Sequence, residues 1–179
     1  MSAINREAFL GFVWRPENDG QGYHVDPGDL GGGTSYGVTE TTWSDAQRAR
    51  VAPSGVALAH ADHWQLATVL YWCAWDAVRA DELPTGVDLC VANMAMVAGA
   101  ERARMILQTA LGVTVDGIVG PKTLGAAQTA DPVGLVDRLT SDDEAFYGSL
   151  GGLSKEFGRG WTRRAEDAKN ASLALIANA

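Results

Sequence analysis

A long glycine-rich segment lies near the beginning of the chain: Glu17-Asn-Asp-Gly-Gln-Gly-Tyr23-His-Val-Asp26-Pro-Gly-Asp29-Leu-Gly-Gly-Gly-Thr34-Ser-Tyr36-Gly-Val-Thr39. Seven of its 23 positions are glycine, a residue that adopts positive φ and lets backbones approach closely. Four carboxylates and two tyrosines lie between the glycines. Because loops of this length are usually functional when they are ordered, the segment predicts a folded functional loop, with room for a short β-hairpin.

The acidic residues of this loop suggest a glycosidase site. Such a site needs one protonated carboxyl group to protonate the leaving sugar oxygen, and a second polar group to stabilise the oxocarbenium ion or to orient a water. Composition alone favours the other interpretation, an acidic Gly-rich turn region with or without bound Ca²⁺. The order of the residues decides between these interpretations below.

The rest of the chain predicts helices. Pro16 disfavours helical geometry at the residue before it, so the first helix should end by Trp14. Asn5, Thr39 and Asp62 are candidate N-caps, and strand signals are nearly absent. The fold class is therefore all-α, apart from the loop hairpin. The predicted helices span residues 5–14, 40–50, 62–78, 87–98, 101–111, 121–127, 132–150 and 159–177.

The helix predicted over 62–78 is apolar on most sides. Trp64, Tyr71 and Trp75 recur at helical spacing, which indicates a core helix, although part of this aromatic cluster could line a sugar groove. His60 and His63 lie one turn apart, but a third metal ligand at helical spacing is missing, so no metal site is expected.

Composition restricts the partners. Residues 1–99 hold 5 basic and 12 acidic side chains, a balance that repels phosphate backbones and argues against nucleic acid. Neither a secretory signal nor an apolar run long enough for a membrane span is visible. Cys73 and Cys90 lack the spacing of a zinc or redox motif and are expected to be buried thiols.

Asp116-Gly117 forms a second turn signal, in the latter half of the chain. It could contact a glycan, but Asp-Gly is a frequent turn pair for conformational reasons alone. We favour the conformational interpretation.

The order of these residues resembles glycoside hydrolase family 108, N-acetylmuramidases of the lysozyme superfamily that often serve as phage endolysins. Tyr23, the run from Asp29 to Thr39 and an upstream glutamate carry the likeness, although the family usually has two glycines directly after that glutamate. The second half resembles the peptidoglycan-binding module usually fused to the family. The residues that carry this second likeness are Leu83-Pro84, Gly86-Val87, Gly99, Ala103, Leu107-Gln108, Leu111-Gly112-Val113, Asp116-Gly117-Ile118, Gly120, Thr123, Gly160-Trp161 and Arg164.

The resemblance implies a lysozyme-like fold and cleavage of peptidoglycan glycan strands at N-acetylmuramic acid. Glu17 takes the position of the catalytic acid, Asp29 that of the family's aspartate and Thr34 that of its threonine; whether Asp29 or Asp26 is the second carboxylate stays open. We further expect substrate contacts from the loop residues Tyr23, Asp26 and Tyr36 and from Trp43 on the following helix.

The organisation expected from this likeness is a muramidase segment at 1–86 and a peptidoglycan-binding-like helical segment at 87–179, in one compact unit. We expect a monomeric endolysin without metal or cofactor, whose partner is bacterial peptidoglycan. It would be made in the host cytoplasm and released to the periplasm or cell wall by a holin or an exporter. A secreted bacterial muramidase and a non-catalytic wall-binding protein are the alternatives.

Overall fold

The structure, a computed structural model, describes residues 2–15, 20–25 and 32–179, with the backbone alone at 2–4 and 152–157. Helices dominate these residues, and one small antiparallel sheet lies in the glycine-rich loop. The α-helices are α1 (Ser2–Val13), α2 (Glu40–Arg48), α3 (His63–Leu70), α4 (Val87–Ala98), α5 (Ala100–Leu111), α6 (Pro121–Thr129), α7 (Pro132–Ser149) and α8 (Gly152–Ala177). The strands are β1 (His24–Val25), β2 (Gly33–Ser35) and β3 (Val38–Thr39).

Most predicted helix boundaries are confirmed, because they depend on local capping chemistry. The Thr39 hydroxyl accepts a hydrogen bond from Thr42 N and caps α2. Asp62 caps α3 in a reciprocal capping box with Gln65. Gly99, with φ 86°, separates α4 from α5.

Three helices differ from the prediction. Asn5 is not an N-cap, because α1 begins at Ser2; the Asn5 amide instead donates to the buried Asp88 carboxylate on α4 at 2.6 Å. The helix predicted over 62–78 is α only to Leu70 and continues as a π turn, Tyr71–Trp75, and a 3-10 turn, Asp76–Val78. The last helix begins at Gly152, several residues before the predicted start.

Helix α4 lies at the centre of the molecule. Nine consecutive residues, 87–95, are buried, and the helix packs against α1, α5, α7 and α8. One hydrophobic cluster extends from Phe9 on α1 to Ala168 on α8. In this shared core, the C-terminal end of α1 and the small sheet pack against the other helices.

Candidate active site

The three-stranded sheet places Thr34 in a row of paired residues. Antiparallel pairing sets His24 opposite Thr34 and Thr34 opposite Thr39. Because directly opposed residues point to the same side of a sheet, these three side chains share one face. The other face carries Ser35 and Val38, which are both buried. Thr34 therefore lies on the opposite face of the sheet from Ser35 and Val38.

The Thr34 hydroxyl is the unusual group in this row. Its Oγ1 is buried and has no hydrogen-bond partner among the described residues, whereas the Thr39 hydroxyl caps α2. A buried polar atom without a partner is rare in folded proteins and calls for an explanation. Thr34 is thus available to hold a water or a substrate atom.

Glu17 lies outside the described residues, but the chain on each side of it is well defined. Helix α1 ends at Val13, and Gly20 N donates to Arg15 O at 3.0 Å. A Cβ at Gly20 would lie 2.2 Å from the Trp14 carbonyl oxygen, a distance that only glycine permits. The segment carrying Glu17 therefore starts and ends at the C-terminus of α1.

Asp26 and Asp29 also lie outside the described residues. They belong to the connection between β1 and β2, whose two ends are held together by the pairing of Val25 with Gly33. Next to this pair, the Tyr23 hydroxyl donates to Glu40 Oε1 at 2.6 Å, and this hydrogen bond raises the pKa of the Tyr23 phenol. The Tyr23 ring packs against Gly33, where an added Cβ would lie 2.4 Å from the tyrosine hydroxyl oxygen.

Tyr36 belongs to an aromatic cluster with Trp14 and His63. The ring centroid of Tyr36 lies 5.8 Å from that of Trp14 and 4.5 Å from that of His63. Tyr36 has a φ of 46°, which is uncommon for a residue with a side chain and clusters at functional sites. Its N–H donates to Gln21 O at 2.8 Å and its carbonyl accepts from Trp14 Nε1 at 3.3 Å. The cluster joins the end of α1, the sheet and the start of α3.

The structure also places Trp43 and the Asp116-Gly117 turn. Trp43 is 3% exposed in the core, and its Nε1 donates to Val56 O at 2.8 Å. Because its ring is packed and its N–H is already bonded, we leave Trp43 out of the proposed set. Asp116 Oδ1 accepts from the buried Gln108 amide at 2.7 Å and from Ile118 N at 2.9 Å. With Gly117 at φ 72°, these bonds favour the conformational interpretation of this turn.

Sequence reasoning missed the ring contacts of His63 with Trp14 and Tyr36, because it considered His63 only as a metal ligand. Within the described residues, no group of three or more His, Cys, Asp or Glu side chains could hold a metal ion.

In the same part of the chain, no helix is both long and apolar enough to cross a membrane. Both cysteines are free, and burial raises the pKa of each thiol to about 12.

Comparison with known families identifies the two halves of the chain. The family model "Glycosyl hydrolase 108" matches residues 15–99, and the model "Predicted Peptidoglycan domain" matches residues 102–166. The chain carries a glycoside hydrolase family 108 domain followed by a predicted peptidoglycan domain. The resemblance inferred from the sequence is confirmed.

A solved structure supports the same assignment for this hydrolase. The structure of Brucella abortus SagA matches with a TM-score of 0.85 and 28% sequence identity, over 98% of this chain and 97% of that chain. A search of the curated proteins gave no match. The fold is lysozyme-like and mostly helical, as predicted, and the hydrolase is a muramidase acting on peptidoglycan.

Proposed function

We propose that Glu17, Asp29 and Thr34 carry out glycan cleavage and that the hydrolase serves as an endolysin. The observation that carries the catalytic assignment is the buried hydroxyl of Thr34, on the sheet face opposite Ser35 and Val38, which has no hydrogen-bond partner among the described residues. The segment of Glu17 joins this sheet to α1, and that of Asp29 joins β1 to β2.

In this proposal Glu17 is the general acid that protonates the leaving glycosidic oxygen. In the sequence Glu17 follows an apolar helix and Trp14, and burial beside such groups would favour the protonated form that this role needs. The Asp29 carboxylate stabilises positive charge on the sugar ring. The Thr34 hydroxyl holds the attacking water, and the Asp29 carboxylate accepts the proton that this water loses as its oxygen bonds to the anomeric carbon. Tyr23, Asp26 and Tyr36 contact the substrate.

The test is digestion of purified peptidoglycan followed by mass analysis of the fragments. The wild type should release fragments that end in N-acetylmuramic acid, whereas Glu17→Gln should release none, because it removes the proton donor and keeps the side-chain shape. Glu7→Gln, which changes an exposed carboxyl group on α1, is the matched control and should keep full activity. If Glu17→Gln keeps more than a few per cent of the activity, the acid lies elsewhere and Asp19 becomes the candidate.

The second carboxylate is tested by comparing Asp29→Asn with Asp26→Asn in the same assay. We expect the larger loss at Asp29, because it keeps the family's spacing to Thr34. Asp26 precedes a proline, as turn residues often do. A more severe loss at Asp26 would exchange the two roles.

The endolysin role is tested by expression in bacteria with and without a co-expressed holin. We propose a monomer that accumulates in the cytoplasm and reaches the wall only after the membrane is opened. Lysis should therefore require the holin in addition to active enzyme. Lysis or wall damage without a holin would favour the alternative, a muramidase that reaches the wall through an exporter.

A further inference from the structure

The first turn of α3 places two exposed aromatic side chains beside the site. His63, the first residue of this helix, is exposed. Its ring contacts the half-buried ring of Trp14 edge-on and that of Tyr36 at a tilt. The His63 centroid is 4.5 Å from that of Tyr36 and 5.5 Å from that of Trp14. Tyr36 follows Thr34 by two residues, so this ring surface is continuous with the strand that carries the proposed water-holding hydroxyl.

The turn is rigidly built, as a binding surface requires. Asp62 Oδ1 accepts from Gln65 N at 2.8 Å, and Gln65 Oε1 accepts from Asp62 N at 3.1 Å. These two bonds fix the residues that lie between the cap and Gln65, and both backbone polar groups of Tyr36 are engaged. The backbone that carries these rings is therefore held in place before any ligand arrives, which lowers the entropic cost of binding.

Trp64 presents a second exposed ring on the same helical turn, about 100° round the helix axis from His63. It lies directly after His63 and is 82% exposed, more than the other exposed large apolar side chains of the described residues. The apolar spacing of α3 predicted a core position, but the first turn projects beyond the core and leaves the indole in solvent. Such an indole combines a flat apolar face with an N–H donor, a combination suited to a partner that is both apolar and polar.

We propose that His63 and Trp64 form a saccharide-binding subsite beside Tyr36, which takes sugar rings of the glycan strand beyond the bond that is cut. Sugar rings present C–H faces that pack on aromatic rings, and their hydroxyl and acetamido groups accept hydrogen bonds from ring N–H groups. The charged stem peptide of peptidoglycan fits less well, because charged groups are held best by charged partners. This inference rests on the proposed function of the adjoining site.

The experiment compares Trp64→Ala and His63→Ala with His60→Ala on glycan strands freed of stem peptides. His60 is the matched control, because it is an exposed histidine three residues before His63 and makes no ring contact with the cluster in the described residues. We expect KM to rise about three- to tenfold in the two test variants, the size of one aromatic contact, with kcat unchanged. His60→Ala should match the wild type.

Different results would overturn the subsite. If His63 only supports Tyr36, His63→Ala lowers kcat and the melting temperature while Trp64→Ala behaves as the wild type. If the surface binds stem peptide, both variants are impaired on intact peptidoglycan but not on peptide-free strands. An equal effect of His60→Ala would show that the surface is not specific.

A binding measurement separates this inference from the proposed function. Sedimentation with peptide-free strands needs no cleavage, so it reports the subsite even if the wild type cuts nothing. Weaker sedimentation of Trp64→Ala than of wild type supports the subsite, and equal sedimentation rejects it.

Discussion

The Thr34 hydroxyl is buried and has no hydrogen-bond partner among the described residues. Its removal should therefore affect the stability and the activity of the hydrolase differently. In Thr34→Val a methyl group replaces a buried hydroxyl that has no partner, a change that is close to neutral or stabilising. Activity should fall about 10- to 100-fold if the hydroxyl bonds to a charged transition state, since such bonds contribute about 1.5–3 kcal/mol. Chemical unfolding and the digestion assay on one preparation measure both effects.

Thr140→Val is the matched control, with the opposite result expected. The Thr140 hydroxyl is buried on α7 and donates to Val136 O at 2.9 Å, so its removal should lower stability and leave the activity of the folded fraction intact. If Thr34→Val were destabilised and fully active, the hydroxyl would have a structural role and the proposed mechanism would lose its water-holding group.

Gly20 shows how one glycine can position the segment that carries the proposed acid, Glu17. In Gly20→Ala the new Cβ would lie 2.2 Å from Trp14 O and 2.8 Å from Arg15 O, so the segment after α1 must move. Displacements of about 1 Å in an active site can cost about 100-fold in rate, and we expect most of the activity to be lost. Gly22→Ala is the control, because its Cβ would meet only Tyr36 Cε2, at 4.0 Å. Equal activities of the two variants would contradict this role of Gly20.

The helices illustrate which elements local sequence can predict. Thr39 and Asp62 cap their helices as expected because N-capping involves only residues within one turn. Asn5 has the same capping chemistry but donates to Asp88 on α4. Packing against that distant carboxylate requires α1 to begin earlier, so the cap prediction failed for a tertiary reason.

Helices α7 and α8 bury polar groups against α4, and these groups should make stability depend on pH. Asn93 Oδ1 accepts from Arg164 Nε at 2.8 Å. Nearby, Asp143 is 1% exposed and shares a hydrogen bond with Tyr147. Burial raises the pKa of Asp143 to about 7, well above the value of about 3.9 in an unfolded chain.

The sign of this effect follows from proton linkage. Between about pH 4 and pH 7 the folded protein holds a proton on Asp143 that the unfolded chain has lost, so the contribution of Asp143 to stability falls as pH rises through this window. The Asn side chain does not titrate. The free energy of unfolding of Asp143→Asn should therefore rise relative to that of wild type by on the order of a few kcal/mol between pH 4 and pH 8. Urea unfolding at both pH values measures this, with Asp142→Asn as the less buried control. If the free energies of unfolding of Asp143→Asn and wild type differed by the same amount at both pH values, Asp143 would be ionised in the folded state.

At the scale of the molecule, the two predicted segments share one core. Residues 87–95 of α4 are buried between α1 on one side and α5, α7 and α8 on the other. A chain truncated after Gly99 would expose this apolar helix and lose the cover from the second half. We propose that the fragment is insoluble or unfolded. Circular dichroism with thermal melting measures this, and cooperative unfolding of the fragment at an ordinary temperature would support two independent domains.

The sequence by itself determined the helical class, most helix boundaries, the glycine-rich loop and the family. Helix periodicity, N-caps and glycine conformations depend on neighbours within a few residues, and the ordered run from Asp29 to Thr39 is specific enough to identify the hydrolase. It also placed Thr34 and Tyr36 in the candidate site.

Only the tertiary structure decided which aromatic side chains are exposed. Trp43 and Trp64 both lie in the first turn of a helix, yet one is 3% exposed and the other 82% exposed. The exposure of a side chain depends on what packs against its helix, and these neighbours can lie far along the chain. Trp43, for example, donates to the carbonyl of Val56, 13 residues away. The contacts of His63 with Trp14 and Tyr36 join three segments far apart in the chain. No local pattern encodes such contacts, because the folding of the whole core creates them.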